Sequence, residues 1–570
     1  MSDPLKELYT IGVDYGTESG RAVVVRVRDG QEMASAVTPY PHGVIDHQLP
    51  TGEDLPADWA LQHPDDYLEV LRKAVPEALK LSGVNAEDVV GIGIDFTACT
   101  MLPTTQEGTP LCFLPELKSE KHAFVKLWKH HAAQPHADRI NETAARMGEK
   151  WLPRYGFKIS SEWFFAKALQ ILEEAPEVYE AADRLIEAAD WVVWQLTGVE
   201  TRNTCTAGYK AMYQDGHFPS REYFAALNPE FADVVSEKML TELSPLGGKA
   251  GTLSAQAAQW TGLKEGIAVA VANVDAHVAV PAATVTEPGQ MVAIMGTSTC
   301  HMLLGDKLKE VPGMCGVVDG GIIPGLYGYE AGQSGVGDIF GWFVKHAVPA
   351  SYHEQAQVEH VSVHQILERE AAQQKPGEHG LIALDWLNGN RSNLVDANLS
   401  GLILGLTLHT RAPDIYRALI EATAYGTRAI IDNFRQHGVP VTELIIAGGL
   451  KKNKMLMQIY ADVTELPLSI VTSEQGPALG SAIHAAVAAG LYEDIRAAAK
   501  VMGRLEKNVY IPNPENVRVY RELYKEYITL HDHFGRGLNN VMKRLKKLSQ
   551  TEDSEPTEPE EVAHAAPTLA

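Results

Sequence analysis

The stretch IGVDYGTESGRAVVV, residues 11–25, places two apolar runs on either side of a turn of glycine and hydroxyl residues. This pattern predicts a β-hairpin. A surface hairpin needs only the glycines, yet Asp14 stands at the end of the first run and Arg21 at the start of the second. Backbone N–H groups of a glycine turn can converge on phosphate oxygens, and an adjacent carboxylate suits Mg²⁺. The hairpin is therefore a candidate phosphate site.

A second stretch, VAIMGTSTC at residues 292–300, repeats the order of apolar run, Gly-Thr and small hydroxyl residues. Two copies separated by roughly half the chain suggest two similar domains, each with one such turn. Two turns that face each other could hold a polyphosphate between them. Each turn alone could instead be an ordinary tight turn, and Arg21 could be a surface residue. The candidate phosphate-binding residues are Gly16, Thr17, Glu18, Arg21, Gly296, Thr297 and Ser298.

The usual nucleotide-binding motifs are absent from the sequence. No G-x-x-x-x-G-K-[ST] occurs, and GIGIDF at residues 91–96 lacks the third glycine of the Rossmann fingerprint. A nucleotide site must therefore be built in another way, and a pair of glycine–threonine hairpins would supply it.

Length and composition indicate a multidomain α/β protein. The chain has 570 residues, more than one hydrophobic core usually organises, so we expect at least two domains. It is 45% hydrophobic with only 7% aromatic residues, as suits an α/β protein. The formal net charge of -24 argues against broad binding to nucleic acids or anionic membranes, which requires basic patches.

Cysteine usage and hydropathy favour a cytoplasmic location. The five cysteines are scattered and form no C-x-x-C pair, which predicts reduced thiols with neither a disulfide framework nor a zinc site. The first residues show no signal-peptide pattern. The longest apolar stretch is interrupted by Asn273, Asp275, His277 and Pro281, so we do not expect it to span a bilayer.

Periodicity predicts the main elements beyond the first hairpin. Helical patterns run over residues 64–81, 414–438 and 514–548. Strand character is predicted over residues 266–280 and 289–303. The last twenty residues are rich in Glu, Pro, Thr and Ala and are expected to be disordered.

Two aspartates are candidates for chemistry and for binding Mg²⁺. Asp14 could be a metal ligand beside the phosphate-binding turn, or it could only cap that turn. Asp275 is the only acid in its apolar run, and burying a lone carboxylate is costly unless it is bonded or functional. We expect Asp275 to act as a general base toward a substrate hydroxyl near Mg²⁺, or else to hydrogen-bond a turn. His277 is expected to be structural.

The stretch IIAGGLKKNK, residues 445–454, joins a predicted strand to a helix through Gly448 and Gly449. Two adjacent glycines let a flat ring lie on the backbone without a Cβ clash. Asn453 stands near the helix start, where it could bond an adenine or cap the helix.

Together these residues resemble the FGGY family of carbohydrate kinases, a branch of the actin-like ATPase superfamily. The similarity includes both hairpins, the Asp275 segment and the Gly448 turn. It implies an α/β fold of two actin-like (ribonuclease H-like) ATPase lobes with a catalytic cleft between them. A sugar-binding lobe with helical insertions would take residues 1–270, an ATP-binding lobe 271–548, and an acidic disordered tail 549–570.

The same resemblance implies a reaction. ATP and Mg²⁺ would be used, and Asp275 would deprotonate a sugar hydroxyl that attacks the γ-phosphate. The segments GIDFTACTMLP, TAGYKAMY, YGYEAGQSGVGDIFGWF and ALDWLNGNRSN resemble members of the family that convert L-ribulose to L-ribulose 5-phosphate in arabinose catabolism. By this resemblance the sugar would meet Phe96, Thr97, Ala98, Lys210, Asp275 and Glu330.

Three alternatives remain at this point. The first is the same chemistry on D-ribulose, D-xylulose or ribitol. The second is an actin- or chaperone-like ATPase that acts on a partner protein, which the sugar-side segments disfavour. The third is a catalytically silent sugar sensor, which the intact acids and glycine turns disfavour. We expect no nucleic-acid or membrane partner, and the sequence does not decide between a monomer and a homodimer.

Overall fold

A computed structural model describes residues 7–549, so that the predicted tail lies outside the described residues apart from its first residue. The strands are β1 (Tyr9–Tyr15), β2 (Ser19–Arg26), β3 (Gln31–Pro39), β4 (Leu61–Gln62), β5 (Val89–Phe96), β6 (Met101–Thr104), β7 (Val125–Lys126), β8 (Arg184–Glu187), β9 (Lys249–Thr252), β10 (Ala268–Ala270), β11 (Asn273–Val274), β12 (Gln290–Met295), β13 (Thr299–Gly305), β14 (Gly316–Asp319), β15 (Tyr327–Gln333), β16 (Ile382–Leu384), β17 (Leu402–Leu404), β18 (Glu443–Ala447), β19 (Leu468–Val471) and β20 (Leu505–Tyr510).

The helices are α1 (Pro64–Ser82), α2 (Gln134–Met147), α3 (Phe164–Glu174), α4 (Pro176–Ala181), α5 (Ala188–Thr197), α6 (Thr204–Lys210), α7 (Arg221–Leu227), α8 (Val234–Lys238), α9 (Ala255–Thr261), α10 (Asp275–Ala282), α11 (Gly337–His346), α12 (Ala350–Glu359), α13 (Val363–Ala371), α14 (Ala412–Gln436), α15 (Lys454–Thr464), α16 (Gly476–Ala488), α17 (Ile495–Met502), α18 (Pro514–Gly535) and α19 (Val541–Ser549). Within residues 7–549, none of these helices combines the length and apolarity that crossing a membrane requires.

The first large sheet is built around the opening hairpin. Its strand order is β3-β2-β1-β5-β10-β9, with β11 paired to β5. The predicted hairpin is confirmed, because β1 and β2 pair antiparallel with Asp14 opposite Arg21. Strands β1, β5 and β11 run parallel, so their carboxyl ends meet at one edge of the sheet.

The second large sheet is built around the second hairpin. Its order is β14-β15-β13-β12-β18-β19-β20. Strands β12 and β13 pair antiparallel as predicted, and β12 pairs parallel with β18. Both sheets therefore place a hairpin strand beside a parallel strand, and the repeated sequence pattern corresponds to a repeated arrangement of strands.

Helix α16 joins the two halves of the molecule because glycines let backbones approach closely. A Cβ on Gly12 of β1 would lie 1.7 Å from the carbonyl oxygen of Ala478, and one on Gly93 of β5 would lie 2.1 Å from that of Ser481. On the side of α10, a Cβ on Gly480 would lie 2.0 Å from the carbonyl oxygen of Val278. Glycine is therefore required on β1 and β5 where they meet α16, and on α16 where it meets α10.

Two predicted elements were wrong in extent. The run over residues 266–280 contains the short strands β10 and β11, and a helix begins at Asp275. Apolar periodicity cannot separate a buried strand from a buried helix, and α10 is apolar on nearly every side because it is enclosed. The helix predicted over residues 514–548 is divided into α18 and α19, and between them Gly537 takes a φ of +85°.

The predicted helices over residues 64–81 and 414–438 are confirmed as α1 and α14. Between β5 and β9 the chain forms an insertion whose strands β6, β7 and β8 join the earlier strand β4 in a separate four-stranded sheet, in the order β4-β7-β6-β8. This insertion has its own hydrophobic core, to which Trp151, Phe165 and Phe231 contribute.

We predict that Gly12→Ala destabilises the protein by about 1–3 kcal/mol or more, because the new methyl group would overlap a backbone oxygen that no side-chain rotation can move. Thermal or urea unfolding measures the effect. Gly341→Ala is the matched control, since Gly341 lies in α11 with no atom within 4 Å of its added Cβ. There alanine should be neutral or stabilise by up to about 1 kcal/mol. Equal unfolding midpoints for the two variants would contradict the packing of α16.

Candidate active site

Three aspartates lie at the carboxyl edge of the first sheet. Asp14 on β1 is in register with Asp95 on β5, and Asp95 is in register with Asn273 on β11. Asp275 follows β11 directly and is the first residue of α10. Ligands of open α/β sheets bind outside the carboxyl ends of parallel strands, so this edge is where a site is expected.

Asp14 faces Arg21 across the first hairpin. The Arg21 NH1 atom lies 3.8 Å from Asp14 Oδ2. Burial raises the pKa of Asp14, although a hydrogen bond with Asp95 and the positive charge of Arg21 oppose the shift. Arg21 therefore brings positive charge to the place where phosphate binding is predicted.

Asp95 is a buried acid that the sequence interpretation did not select. Its Oδ2 accepts a hydrogen bond of 2.5 Å from Ser481 Oγ on α16, and within residues 7–549 its Oδ1 has no partner. Burial, and next the charge of Asp14, raise the pKa of Asp95 well above its usual value. Asp95 links the aspartate edge to α16. The signal that identified Asp275, an acid in an apolar run, was present here too.

Asp275 lies at the start of α10, beside the strand ends that carry Asp14 and Asp95. Its Oδ1 accepts a hydrogen bond of 2.6 Å from the N–H group of Ala276. Burial raises the pKa of Asp275 to about 7; Asp14 and Glu330 add to the shift, and the Ala276 N–H and Lys210 oppose it. A carboxylate with a pKa near the working pH suits general-base catalysis.

Lys210 and Glu330 form a buried ion pair between α6 and β15. Lys210 Nζ lies 3.0 Å from Glu330 Oε2, and Arg391 NH2 lies 3.1 Å from Glu330 Oε1. His277 Nε2 lies 3.5 Å from Glu330 Oε2. Burial alone would raise the pKa of Glu330, but Lys210, His277 and Arg391 hold it well below its usual value. Glu330 therefore remains ionised inside the protein.

The segment after Asp95, residues 96–98, is mostly packed against the rest of the protein. Phe96 is 1% exposed and its ring stacks on Tyr15, with 4.7 Å between ring centroids. The Thr97 N–H donates to the carbonyl of Tyr15, and its hydroxyl lies 2.8 Å from that of Thr100. Ala98 is half-buried. The Phe96 ring belongs to the core and Thr97 is buried as well, so that Ala98 is the most open of the three. The predicted sugar contacts of all three stay predictions.

The first hairpin is held by residues that sequence reasoning did not identify. The N–H of Gly16 donates to the carbonyl of Ser19, and the Tyr40 hydroxyl donates to the carbonyl of Gly16. Trp128 Nε1 donates to the Thr17 hydroxyl at 3.0 Å. Glu18 at the tip is exposed. The turn is thus fixed from outside, while its phosphate contacts remain a prediction.

The second hairpin and the glycine turn meet at one edge of the second sheet. Gly296 and Thr297 are exposed and Ser298 is half-buried. Gly448 has a φ of +89°, and a Cβ on it would lie 2.3 Å from the carbonyl oxygen of Met295. The predicted phosphate and adenosine residues are therefore neighbours there.

The rest of that turn is open on one side. A Cβ on Gly449 would have no atom within 4 Å, so a flat group can approach its backbone. The Oδ1 atom of Asn453 accepts a hydrogen bond from the N–H of Leu456, and Asn453 is thus the N-cap of α15. The capping role is present, and an additional contact with adenine stays a prediction.

We predict that Lys210→Met destabilises the protein by up to about 3 kcal/mol, because the buried Glu330 carboxylate then keeps only one of its two paired cations, Arg391. The side chains of Lys210 and Glu330 are only 6% and 4% exposed. Lys264→Met is the control: the pair of Lys264 with Glu87 has 55% and 59% exposure, and such pairs contribute about 0–1 kcal/mol. Similar losses in urea unfolding for both variants would contradict this assignment.

Comparison with known proteins agrees with this geometry. Residues 9–281 match the N-terminal domain of the FGGY family of carbohydrate kinases, and residues 291–489 match its C-terminal domain. A protein named ribulokinase from Mycolicibacterium smegmatis is 60% identical over 96% of this chain and 97% of its own length. A ribulokinase from Halalkalibacterium halodurans is 58% identical over 94% of this chain and 97% of its own length.

Solved structures share the fold at low sequence identity. A xylulose kinase from Rhodospirillum rubrum matches with a TM-score of 0.75 and 22% identity, covering 92% of this chain and 98% of that one. A gluconate kinase from Lactobacillus acidophilus matches with a TM-score of 0.76 and 17% identity, covering 93% and 99%. The predicted α/β fold of two actin-like lobes is thereby confirmed, and the chain belongs to the FGGY family of carbohydrate kinases.

Proposed function

We propose that this carbohydrate kinase uses ATP and Mg²⁺ to phosphorylate the 5-hydroxyl of L-ribulose in the cytoplasm, giving L-ribulose 5-phosphate. The observation that carries the proposal is the position of Asp275 at the start of α10, beside the strand ends that carry Asp14 and Asp95. His277 of the same helix lies 3.5 Å from Glu330, so a sugar bound near Glu330 would present a hydroxyl to the Asp275 carboxylate. The name ribulokinase of relatives that are 58% and 60% identical supports ribulose as the sugar, and the L-configuration rests on the resemblance of the sugar-side segments.

The residues at the aspartate edge fit a magnesium ion. Asp14 and Asp275 are close enough that the charge of one raises the pKa of the other, and both offer carboxylate oxygens. Mg²⁺ is usually held by one or two carboxylates together with phosphate oxygens and water. When bound, the ion would neutralise phosphate charge. Asp14 and Asp275 are the residues proposed to hold it.

ATP would lie across the two hairpins and the Gly448 turn. The turn at Gly296 and Thr297 is exposed beside Gly448, and the backbone at Gly449 is open on one side, which supports phosphate binding at the turn and adenosine binding at Gly449. Arg21 adds positive charge at the first hairpin. The γ-phosphate would then lie toward the edge that carries Asp275.

Asp275 would act as the general base in a single displacement. The 5-hydroxyl oxygen attacks the γ-phosphorus and its proton passes to an Asp275 carboxylate oxygen. The new O–P bond forms as the bond between the γ-phosphorus and the β–γ bridging oxygen breaks, and ADP leaves. The acids around Asp275 raise its proton affinity, which favours proton transfer in this direction.

The buried ion pair would recognise the sugar. Glu330 accepts hydrogen bonds and Lys210 donates them, so that together they match the hydroxyl pattern of a polyol. A site that pairs with specific hydroxyls rejects analogues lacking them. Because the pair joins α6 to β15, sugar binding there would also connect the two halves of the cleft.

We predict that Asp275→Asn lowers kcat by about 10²–10⁴-fold while L-ribulose still binds, because the amide cannot take up the hydroxyl proton but can still hydrogen-bond the sugar. A coupled assay of ADP release gives kcat, and calorimetry gives sugar binding. Asp494→Asn is the control, because Asp494 also stands at a helix start and caps α17. Turnover of Asp275→Asn within a few-fold of the wild type would remove Asp275 as the base.

The substrate assignment is tested with a panel of L-ribulose, D-ribulose, D-xylulose and ribitol at constant ATP and Mg²⁺. We expect the highest kcat/KM for L-ribulose and no ADP release without sugar, because the acceptor hydroxyl is then missing. A higher kcat/KM for another sugar would transfer the proposal to that sugar. ADP release without any sugar would favour an ATPase instead.

A further inference from the structure

A third charged residue, Arg391, completes the cluster around Glu330. It lies in the segment between β16 and β17, and its NH2 atom is 3.1 Å from Glu330 Oε1. Lys210 occupies the other side of the carboxylate, at 3.0 Å from Oε2. Glu330 is thus held at both oxygens by cations from different parts of the chain.

Arg391 differs from Lys210 in the number of N–H donors that remain free to bind another group. The Lys210 ammonium contacts both oxygens of Glu330 and its side chain is 6% exposed. The Arg391 side chain is 36% exposed, and within residues 7–549 its side chain donates one hydrogen bond, to Glu330. A guanidinium has five N–H donors, so most of them remain for another partner.

The backbone around Arg391 fixes the direction of its side chain. A Cβ on Gly332 of β15 would lie 3.1 Å from Arg391 Cδ and 3.3 Å from its Nε, so the stem of the arginine lies flat on this glycine. The N–H of Gly332 donates to the hydroxyl of Ser392 at 3.1 Å, which anchors the next residue to the same strand. The guanidinium is therefore held at the end of a fixed stem.

The partner of Arg391 is shared with both halves of the molecule. Glu330 on β15, which Arg391 contacts at 3.1 Å, also lies 3.0 Å from Lys210 of α6 and 3.5 Å from His277 of α10. Helix α10 begins at Asp275. Arg391 thus lies beside the same charged residues to which the sugar is assigned.

We propose that Arg391 is a further sugar-binding residue, which donates hydrogen bonds directly to oxygen atoms of the ketopentose. This inference rests on the proposed function. The acids of the site, Asp275 and Glu330, accept hydrogen bonds from hydroxyl groups. The ketone oxygen of the sugar has no hydrogen to donate, so it requires a donor from the protein instead. A planar group with several donors beside Glu330 supplies what these acids lack.

The first test measures binding of L-ribulose by calorimetry and the two KM values by the ADP assay. Arg391→Met should raise the Kd and KM for L-ribulose by about 10- to 100-fold, as expected for a lost hydrogen bond from a charged donor, and leave the KM for ATP unchanged. Arg391→Lys should restore part of the affinity. Arg536→Met is the control, since Arg536 pairs with Asp532 on the surface and is 60% exposed. Unchanged sugar affinity in Arg391→Met would overturn the inference.

A double-mutant cycle separates direct contact from an effect through Glu330. If Arg391 touches the sugar, the double variant should bind L-ribulose more weakly than Glu330→Gln alone does. If Arg391 only positions Glu330, the additional loss disappears there, and the inference is overturned. Wild-type protein that fails to bind L-ribulose would instead overturn the proposed function itself, and this inference with it.

Discussion

The close approach of α16 to the first sheet is the constraint on which the rest of the structure depends. Glycines at positions 12 and 93 leave space for the backbone of this helix, and Gly480 does the same toward α10. The Thr10 hydroxyl adds a hydrogen bond of 2.9 Å to the carbonyl of Ala482. Since α10 begins at Asp275, the packing that joins the two halves also positions the candidate base.

The same contact explains why acids can collect at one edge of a sheet. Burial, and then the charge of Asp14, raise the pKa of Asp95, while its hydrogen bond with Ser481 of α16 opposes the shift. The helix that joins the two halves thus supplies a hydrogen-bond donor to the acid that lies beside Asp14. The cleft thus combines an acidic edge, suited to Mg²⁺ and proton transfer, with an ionised Glu330 held by cations, suited to a polyol.

The sequence predicted those parts of the site that depend on local pattern. Both hairpins and the glycine turn after β18 follow from apolar runs and glycine within a few residues, and the structure contains all of these elements. Asp275 was identifiable because an acid in an apolar run is unusual. Its element was misjudged, since an enclosed helix such as α10 and an enclosed strand share the same apolar composition.

Contacts between residues that are far apart in the chain could not be predicted from local sequence patterns. Lys210 and Glu330 are 120 positions apart, and only the family resemblance brought them together. Ser481 and Asp95 are 386 positions apart, and neither had a partner visible in the sequence. Arg391 stood in a segment identified as sugar-side, but its pairing with Glu330 depends on the way Gly332 lets its stem lie on β15.

The most direct test of the central claim is a crystal structure of the protein with L-ribulose, Mg²⁺ and a non-hydrolysable ATP analogue. The account predicts an Asp275 carboxylate oxygen within about 2.6–3.2 Å of the sugar 5-hydroxyl, in line with the γ-phosphorus, with both hairpins on the phosphates. A sugar bound elsewhere, or an Asp275 carboxylate directed away from that hydroxyl, would contradict it.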